Sequence, residues 1–159
     1  MKIKVGFGFD VHKLEKNTEL WLGGIQVPSG LGAVGHSDAD VLIHSICDAL
    51  LGASNQRDIG YHFPDTDEAN KDIDSKILLA KVVEMLREKK YIINNIDVTV
   101  SLEKPKISEF IPAMKKTLSQ TMGISELDIS IKATTTEKLG FTGRKEGVAS
   151  YCVALVKRA

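Results

Sequence analysis

The four histidines of this 159-residue chain all fall between positions 12 and 62. The first sits in Asp10-Val11-His12. If the backbone is extended there, residues two apart point to one face, about 6.5–7 Å from each other. Another group is His36-Ser37-Asp38-Ala39-Asp40 with His44. Asp40 and His44 are four apart and share a helix face, opposite an apolar stripe of Leu42, Ile43, Ile46, Ala49, Leu50 and Ala53. Asp10, His12 and His44 therefore offer one carboxylate and two imidazoles from two elements. Zinc takes such nitrogen and oxygen donors, and three protein ligands leave a fourth position open, as in catalytic sites. Spacing alone does not bring the strand end to the helix, so a polar strand end and a solvated surface histidine stand as the alternative. His36 and Ser37 lie at the helix start, where free N–H groups favour an anion such as phosphate.

Two further stretches carry polar chemistry. Asp58 to Asp67 is acidic and turn-rich, and it fails the calcium-loop template because Asn70 stands where glycine is needed and Lys76 where glutamate is needed. Thr134-Thr135-Thr136-Glu137 leaves a strand end and is followed by Lys138 and Arg144. Hydroxyls and cationic side chains suit phosphate, and Glu137 suits a hard cation. No dinucleotide or phosphate-loop glycine pattern matches at Gly6-Phe7-Gly8 or at Gly140 to Lys145. No Ser-His-Asp or Cys-His arrangement suggests a protein nucleophile.

The elements that must position these groups follow from periodicity. Ile3, Val5, Phe7 and Phe9 alternate with Lys4, Gly6 and Gly8, which predicts a half-buried strand over 2–9 that leaves the core at Asp10. Leu20–Leu22 and Ile25–Val27 flank Gly23-Gly24 as a hairpin, and 28–36 is expected to be loop. Ser37 to Asp40 has the form of a helix start, with the helix running to Ala53. A second helix is expected from Asp74 to about Lys89, with Leu78, Leu79, Val82, Val83 and Leu86 inward. A strand is expected over 96–102, a helix from 108–112 to Gly123, and strands at 129–133 and 148–156. The order makes a mixed α/β layer, a sheet covered by helices.

Composition bounds the function. Lys+Arg and Asp+Glu are 21 each, so the chain lacks the basic excess expected of a nucleic-acid binder. No apolar run approaches the ~20 residues of a membrane helix. The N-terminal segment lacks the roughly 7–15-residue apolar core of a secretory signal. Cys47 and Cys152 lie in apolar segments and are expected as reduced thiols in a cytoplasmic protein.

Taken together, G-F-G-F-D-V-H at 6–12, G-H-S-D-A-D-V at 35–41 with His44, D-I-G-Y-H-F-P-D-T-D at 58–67 and K-A-T-T-T-E-K-L-G-F-T-G-R at 132–144 resemble the 2-C-methyl-D-erythritol 2,4-cyclodiphosphate synthase family. The resemblance runs from Lys2 to about Lys157. It implies one synthase domain over 1–159 and an α+β fold of the Bacillus chorismate mutase type. In that fold a mixed sheet is covered by helices on one side and lines the three-fold axis of a homotrimer. The implied reaction converts 4-diphosphocytidyl-2-C-methyl-D-erythritol 2-phosphate to the 2,4-cyclodiphosphate and CMP, in non-mevalonate isoprenoid synthesis.

The resemblance also implies roles. Asp10, His12 and His44 match the zinc ligands, with Asp10 and His12 also touching substrate. Glu137 matches the ligand of a second divalent cation, Mg²⁺ or Mn²⁺. His36 and Thr135 match the residues that position the reacting phosphates, beside Ser37 and Thr136. Asp58, Ile59 and Gly60 match the erythritol contacts, and Phe63, Pro64, Asp65, Thr66 and Asp67 a flexible loop over the substrate. Leu102, Lys106 and Ser108, with Ala133 and Thr134 opposite, match the cytidine pocket. Phe141 and Arg144 match further substrate contacts. Leu102 and Glu103 depart from the family, where a small residue and Gln are common. Asp40 is expected to orient a metal-bound imidazole, and Asp48 is expected to be idle. The competing readings are a trimeric phospholigand-binding regulator and a zinc hydrolase using Asp40 or Asp48 as base.

Overall fold

A computed structural model describes residues 2–159. Strand β1 (Ile3–Lys16) leads into the short hairpin β2 (Leu20–Leu22) and β3 (Ile25–Val27), then β4 (Leu31–Val34). Helices α1 (Val41–Ala53), α2 (Ile59–His62) and α3 (Ser75–Glu88) follow, then β5 (Tyr91–Ser101), α4 (Ile111–Met122), β6 (Ile129–Thr134), α5 (Gly140–Gly143) and β7 (Gly147–Arg158). The main sheet has the order β4-β1-β7-β5-β6. Only β5 and β6 run parallel, joined by the α4 crossover; β4, β1, β7 and β5 pair antiparallel. The fold is a mixed sheet with helices, in the α+β class. α1 packs on β1 and β7, α3 packs against α1, and α4 packs against α3.

The alternation in β1 is present, but its faces are the reverse of the expected ones. Ile3, Val5, Phe7 and Phe9 are 45–66 % exposed, while Gly6 and Gly8 are buried. A Cβ on Gly6 would lie 1.9 Å from the Ala49 carbonyl oxygen, and one on Gly8 1.9 Å from that of Ser45. The backbone of α1 therefore rests directly on the glycine strip. Period two identifies two faces but not the inner one; here a helix, rather than side chains, fills the inner face. The strand also does not end at Asp10. It pairs with β7 from Ile3↔Lys157 to Lys13↔Gly147 and continues to Lys16. Asp10 and His12 consequently share the face of Gly6 and Gly8, turned toward α1.

Helix α1 is buried almost all round, His44 included, so its stripe does not divide core from solvent. Its N-cap is Asp40, not Ser37. The buried Asp40 carboxylate accepts Ile43 N–H at 3.0 Å and the N–H groups of Gly23 and Gly24 at 3.0 and 2.7 Å. Gly23 and Gly24 have φ of 61° and 79°, the left-handed pair that a tight hairpin turn requires. Burial pushes the Asp40 carboxyl up, against its backbone hydrogen bonds. Asp40 thus fastens the hairpin to α1 and does not touch the His44 ring.

Within 28–36, expected as loop, Leu31–Val34 forms β4 against Lys13–Lys16. α3 begins after the Asp74 cap and buries Leu78, Leu79, Val82, Val83 and Leu86, as the pattern predicts. α4 ends at Gly123 in the left-handed region, φ 69°. Strand β5 starts earlier than expected, at Tyr91. Among the described residues, no helix is long and apolar enough to cross a membrane.

Candidate active site

Because β1 presents Gly6, Gly8, Asp10 and His12 to α1, the close approach at Gly8 sets Ser45, and with it His44, beside Asp10. Asp10 Oδ2 lies 3.0 Å from His12 Nε2 and 2.9 Å from His44 Nδ1, and the two ring nitrogens are 3.1 Å apart. This is the Asp-His-His set read from the sequence, here brought to one point. His12 Nδ1 is 3.2 Å from the Val34 carbonyl oxygen. A carbonyl can only accept, so that nitrogen carries the proton and Nε2 turns a lone pair to the other two donors. Two imidazole nitrogens and a carboxylate oxygen facing one another at this spacing are donors that a divalent metal of the zinc type accepts.

The electrostatics agree with a site that concentrates negative charge. Burial works to raise the Asp10 carboxyl, but the His12 and His44 rings beside it outweigh this and hold it well below the usual carboxylate range. Burial opposes charge on His44, and Asp10 overcomes this to raise its pKa. His44 Nε2 lies 3.0 Å from Ser75 Oγ and 3.1 Å from Ser37 Oγ. Ser75 Oγ donates to Asp38 Oδ1, and Ser75 N–H donates to Asp38 Oδ2 at 2.9 Å. Ser75 and Asp38, rather than Asp40, stand behind His44. The sequence reading missed both, since nothing in it pairs position 38 with position 75.

A cavity of about 220 Å³ opens over the triad, lined by Asp10, His12, His36, Ser37 and His44 on one side and Ile59, Gly60, Phe63 and Asp65 on the other. His36 Nε2 is buried with no partner among the described residues, an orphan that a bound group can satisfy. Asp58 lies outside this wall; it caps α2 by accepting Tyr61 N–H at 2.9 Å. Pro64, Thr66 and Asp67 are exposed in the same turn, with Asp67 accepting Ala69 N–H. Asp48, expected to be idle, accepts Ile59 N–H at 2.8 Å and so ties α2 to α1 beside the cavity. His62 is 2.7 Å from the Gln56 carbonyl and serves that turn. A larger cavity of about 590 Å³ lies behind Ser37 and Asp38, toward Trp21, and none of the three triad residues lines it.

A separate cavity of about 260 Å³ is lined by Leu102, Glu103, Lys106 and Ser108 with Ala133, Thr134 and Thr135. It shares no residue with the triad cavity. Glu137, Phe141 and Arg144 line neither. Glu137 is exposed at φ 53°, with its N–H on Thr135 Oγ1. Thr136 Oγ1 donates to the Leu139 carbonyl at 2.6 Å. Arg144 is held by Glu146 through two 3.0 Å contacts. Within one chain, therefore, the triad cavity and the 102–108/133–135 cavity stay separate.

Residues 3–157 match the family model described as the YgbB family. The 2-C-methyl-D-erythritol 2,4-cyclodiphosphate synthase of Parabacteroides distasonis is 63 % identical over 158 residues, covering 99 % of this chain and 98 % of the relative. The synthase of the same name from Bacteroides thetaiotaomicron is 60 % identical over 158 residues, covering 99 % of each. Among solved structures, the bifunctional IspDF of Campylobacter jejuni superposes with a TM-score of 0.96 at 43 % identity; it matches 99 % of this chain, which spans 43 % of that longer protein. IspF of Plasmodium falciparum, solved as a CDP complex, superposes with a TM-score of 0.86 at 34 % identity over 98 % of this chain and 96 % of that one. With a matched family model over nearly its whole length and relatives this similar end to end, the chain belongs to the YgbB family, that of the 2-C-methyl-D-erythritol 2,4-cyclodiphosphate synthases.

Proposed function

We propose that the chain, acting as one synthase domain over 1–159, converts 4-diphosphocytidyl-2-C-methyl-D-erythritol 2-phosphate to 2-C-methyl-D-erythritol 2,4-cyclodiphosphate and CMP. The observation that carries this reading is the convergence of Asp10, His12 and His44 at the mouth of a cavity walled by Ile59, Gly60 and Phe63, in a chain of this family. The 2-phosphate attacks the β-phosphorus, a new P–O bond forms, the α–β phosphoanhydride breaks, and CMP leaves with the electron pair. The nucleophile is already anionic, so no side chain has to remove a proton, in keeping with the lack of a nucleophile–base pair in the sequence. A hydrolase would need a base; Asp40 is committed to the hairpin turn and Asp48 to α2.

The chain's own work is to hold repelling phosphates in line, which is most of the catalysis in phosphoryl transfer. Asp10, His12 and His44 would hold zinc, and Glu137 would hold a second divalent cation, Mg²⁺ or Mn²⁺. When bound, these ions would supply Lewis acidity and charge neutralisation at the diphosphate. His36, through its unpartnered Nε2, and Thr135 position the reacting phosphates, with Ser37 and Thr136 beside them. Asp58, Ile59 and Gly60 hold the erythritol, and Phe63 to Asp67 cover it. Leu102, Lys106, Ser108, Ala133 and Thr134, which line the cavity of about 260 Å³, take the cytidine; that a structural neighbour was solved as a CDP complex supports a cytidine ligand. Phe141 and Arg144 complete the phosphate end, Arg144 after exchanging Glu146 for substrate. Two free buried thiols, Cys47 and Cys152, suit a cytoplasmic setting. The direct test is phosphorus NMR of the protein incubated with the cytidylyl substrate: cyclic diphosphate and CMP signals are expected, and unchanged substrate with loaded metals would refute the reading.

The working unit is a homotrimer, with the sheets around the three-fold axis as in the Bacillus chorismate mutase type. Two features support it. The sheet face away from α1 exposes Ile3, Val5, Phe7, Phe9, Tyr151 and Val153, and exposed apolar side chains gathered on one face mark an interaction surface. The two half-sites also lie in separate cavities of one chain, and a closed C3 ring sets one subunit's surface against a different surface of the next. Light scattering should return three times the 17.4 kDa chain mass; a species of one chain mass at working concentration would overturn it.

A further inference from the structure

We infer that Ser75 is a positioning residue: its hydroxyl, with its proton committed to Asp38, fixes His44 in the tautomer whose Nδ1 lone pair faces Asp10 and His12. This rests on the reading of Asp10, His12 and His44 as metal ligands. His44 Nε2 has two hydroxyl neighbours, Ser75 Oγ at 3.0 Å and Ser37 Oγ at 3.1 Å. A hydroxyl has one hydrogen to give. Ser75 gives its hydrogen to Asp38 Oδ1, a charge-assisted bond. Asp38 is held facing it because its other oxygen takes the Ser75 N–H at 2.9 Å. Ser75 has no exposed surface, so water cannot offer a substitute.

Toward His44, then, Ser75 can only accept, an arrangement that is complete only when Nε2 carries the proton. Nδ1 is left with its lone pair, 2.9 Å from Asp10 Oδ2 and 3.1 Å from His12 Nε2. Ser37 is different. It accepts Ala39 N–H at 3.2 Å, and its own proton is not claimed by a carboxylate. Without Ser75, Ser37 can donate to Nε2. The ring would then carry its proton on Nδ1 and hydrogen-bond Asp10 at the same 2.9 Å, consuming two of the three atoms a metal needs. The Asp38–Ser75 pair biases the ring against that self-satisfied arrangement. Metal-bound histidines are commonly oriented by a carboxylate or carbonyl on the far nitrogen; here a buried serine stands between carboxylate and ring.

The test reads tautomer and metal affinity, not turnover. Long-range ¹⁵N correlation spectra of the metal-free wild-type protein, at a pH above the ring's pKa, should show His44 protonated at Nε2. Chelator competition should show zinc bound about 10–100-fold more weakly by Ser75→Ala than by wild type, with an unchanged circular dichroism spectrum. A wild-type His44 protonated at Nδ1 overturns the inference, and this measurement needs no variant. Equal zinc affinity in wild type and a folded Ser75→Ala also overturns it. Wild-type protein that takes up no zinc would instead refute the ligand assignment itself.

Discussion

His44→Ala is expected to lose both zinc and turnover while keeping its fold. The imidazole supplies one of three donor atoms lying 2.9–3.1 Å apart. Two ligands, Asp10 and His12, remain on one strand and close only one side of the site. The Lewis acidity lost with the metal amounts to several kcal/mol of transition-state stabilisation, so kcat/KM should fall by roughly 10³-fold or more. Folding should survive because α1 still rests on β1 where its Ser45, Ala49 and Ala53 meet Gly8 and Gly6, and on β7 through the Ser45–Ser150 hydroxyl contact. The cavity and the unpaired Asp10 and Ser75 groups should cost about 1–3 kcal/mol. Metal analysis after zinc loading, together with a thermal melt, checks both halves. A folded variant that still binds one zinc per chain at wild-type affinity would remove His44 from the ligand set.

Gly8→Ala should damage stability and site together. Its Cβ would lie 1.9 Å from the Ser45 carbonyl oxygen and 2.6 Å from the Ala49 amide nitrogen. Both are backbone atoms of α1, so no rotamer change relieves the clash and the helix must move outward. Overpacking of this kind costs about 3 kcal/mol or more, which for a domain of this size lowers Tm by roughly 6–12 °C. Ser45 adjoins His44, so the same displacement pulls His44 from Asp10 and His12, and zinc affinity should fall with Tm. Gly30→Ala is the control, because nothing lies within 4 Å of a Cβ there; its effect should stay within about 0.5 kcal/mol. A Gly8→Ala melt within about 2 °C of wild type would show that α1 is not seated on this strip.

Local chemistry was sufficient for some features. The Asp74 and Lys89 bounds of α3, the Gly123 stop of α4 and the Gly23-Gly24 turn depend on neighbours within a few residues, so the sequence reading located them. The donor types of Asp10, His12 and His44 were legible for the same reason: a histidine's capacity to bind metal is a property of its own ring. The motifs around them were specific enough to indicate the family.

Tertiary structure decided the rest, because it depends on contacts between residues far apart in sequence. Alternation in β1 defined two faces, but the position of α1 determined that the glycine face is inner and the phenylalanine face outer. The same packing turned His44 from an exposed helix residue into a buried one and carried Asp10 and His12 onto the α1 side. Asp40 has the spacing of a partner to His44, yet its carboxylate is taken by Gly23, Gly24 and Ile43, which arrive from another direction. Ser75 was invisible as a site residue because the 31 positions separating it from His44 carry no periodic signal. Residue types and local spacing specify which groups can bind a metal or a phosphate. Which hydroxyl stands behind which ring is settled only when a glycine strip lets a helix come within van der Waals distance of a strand.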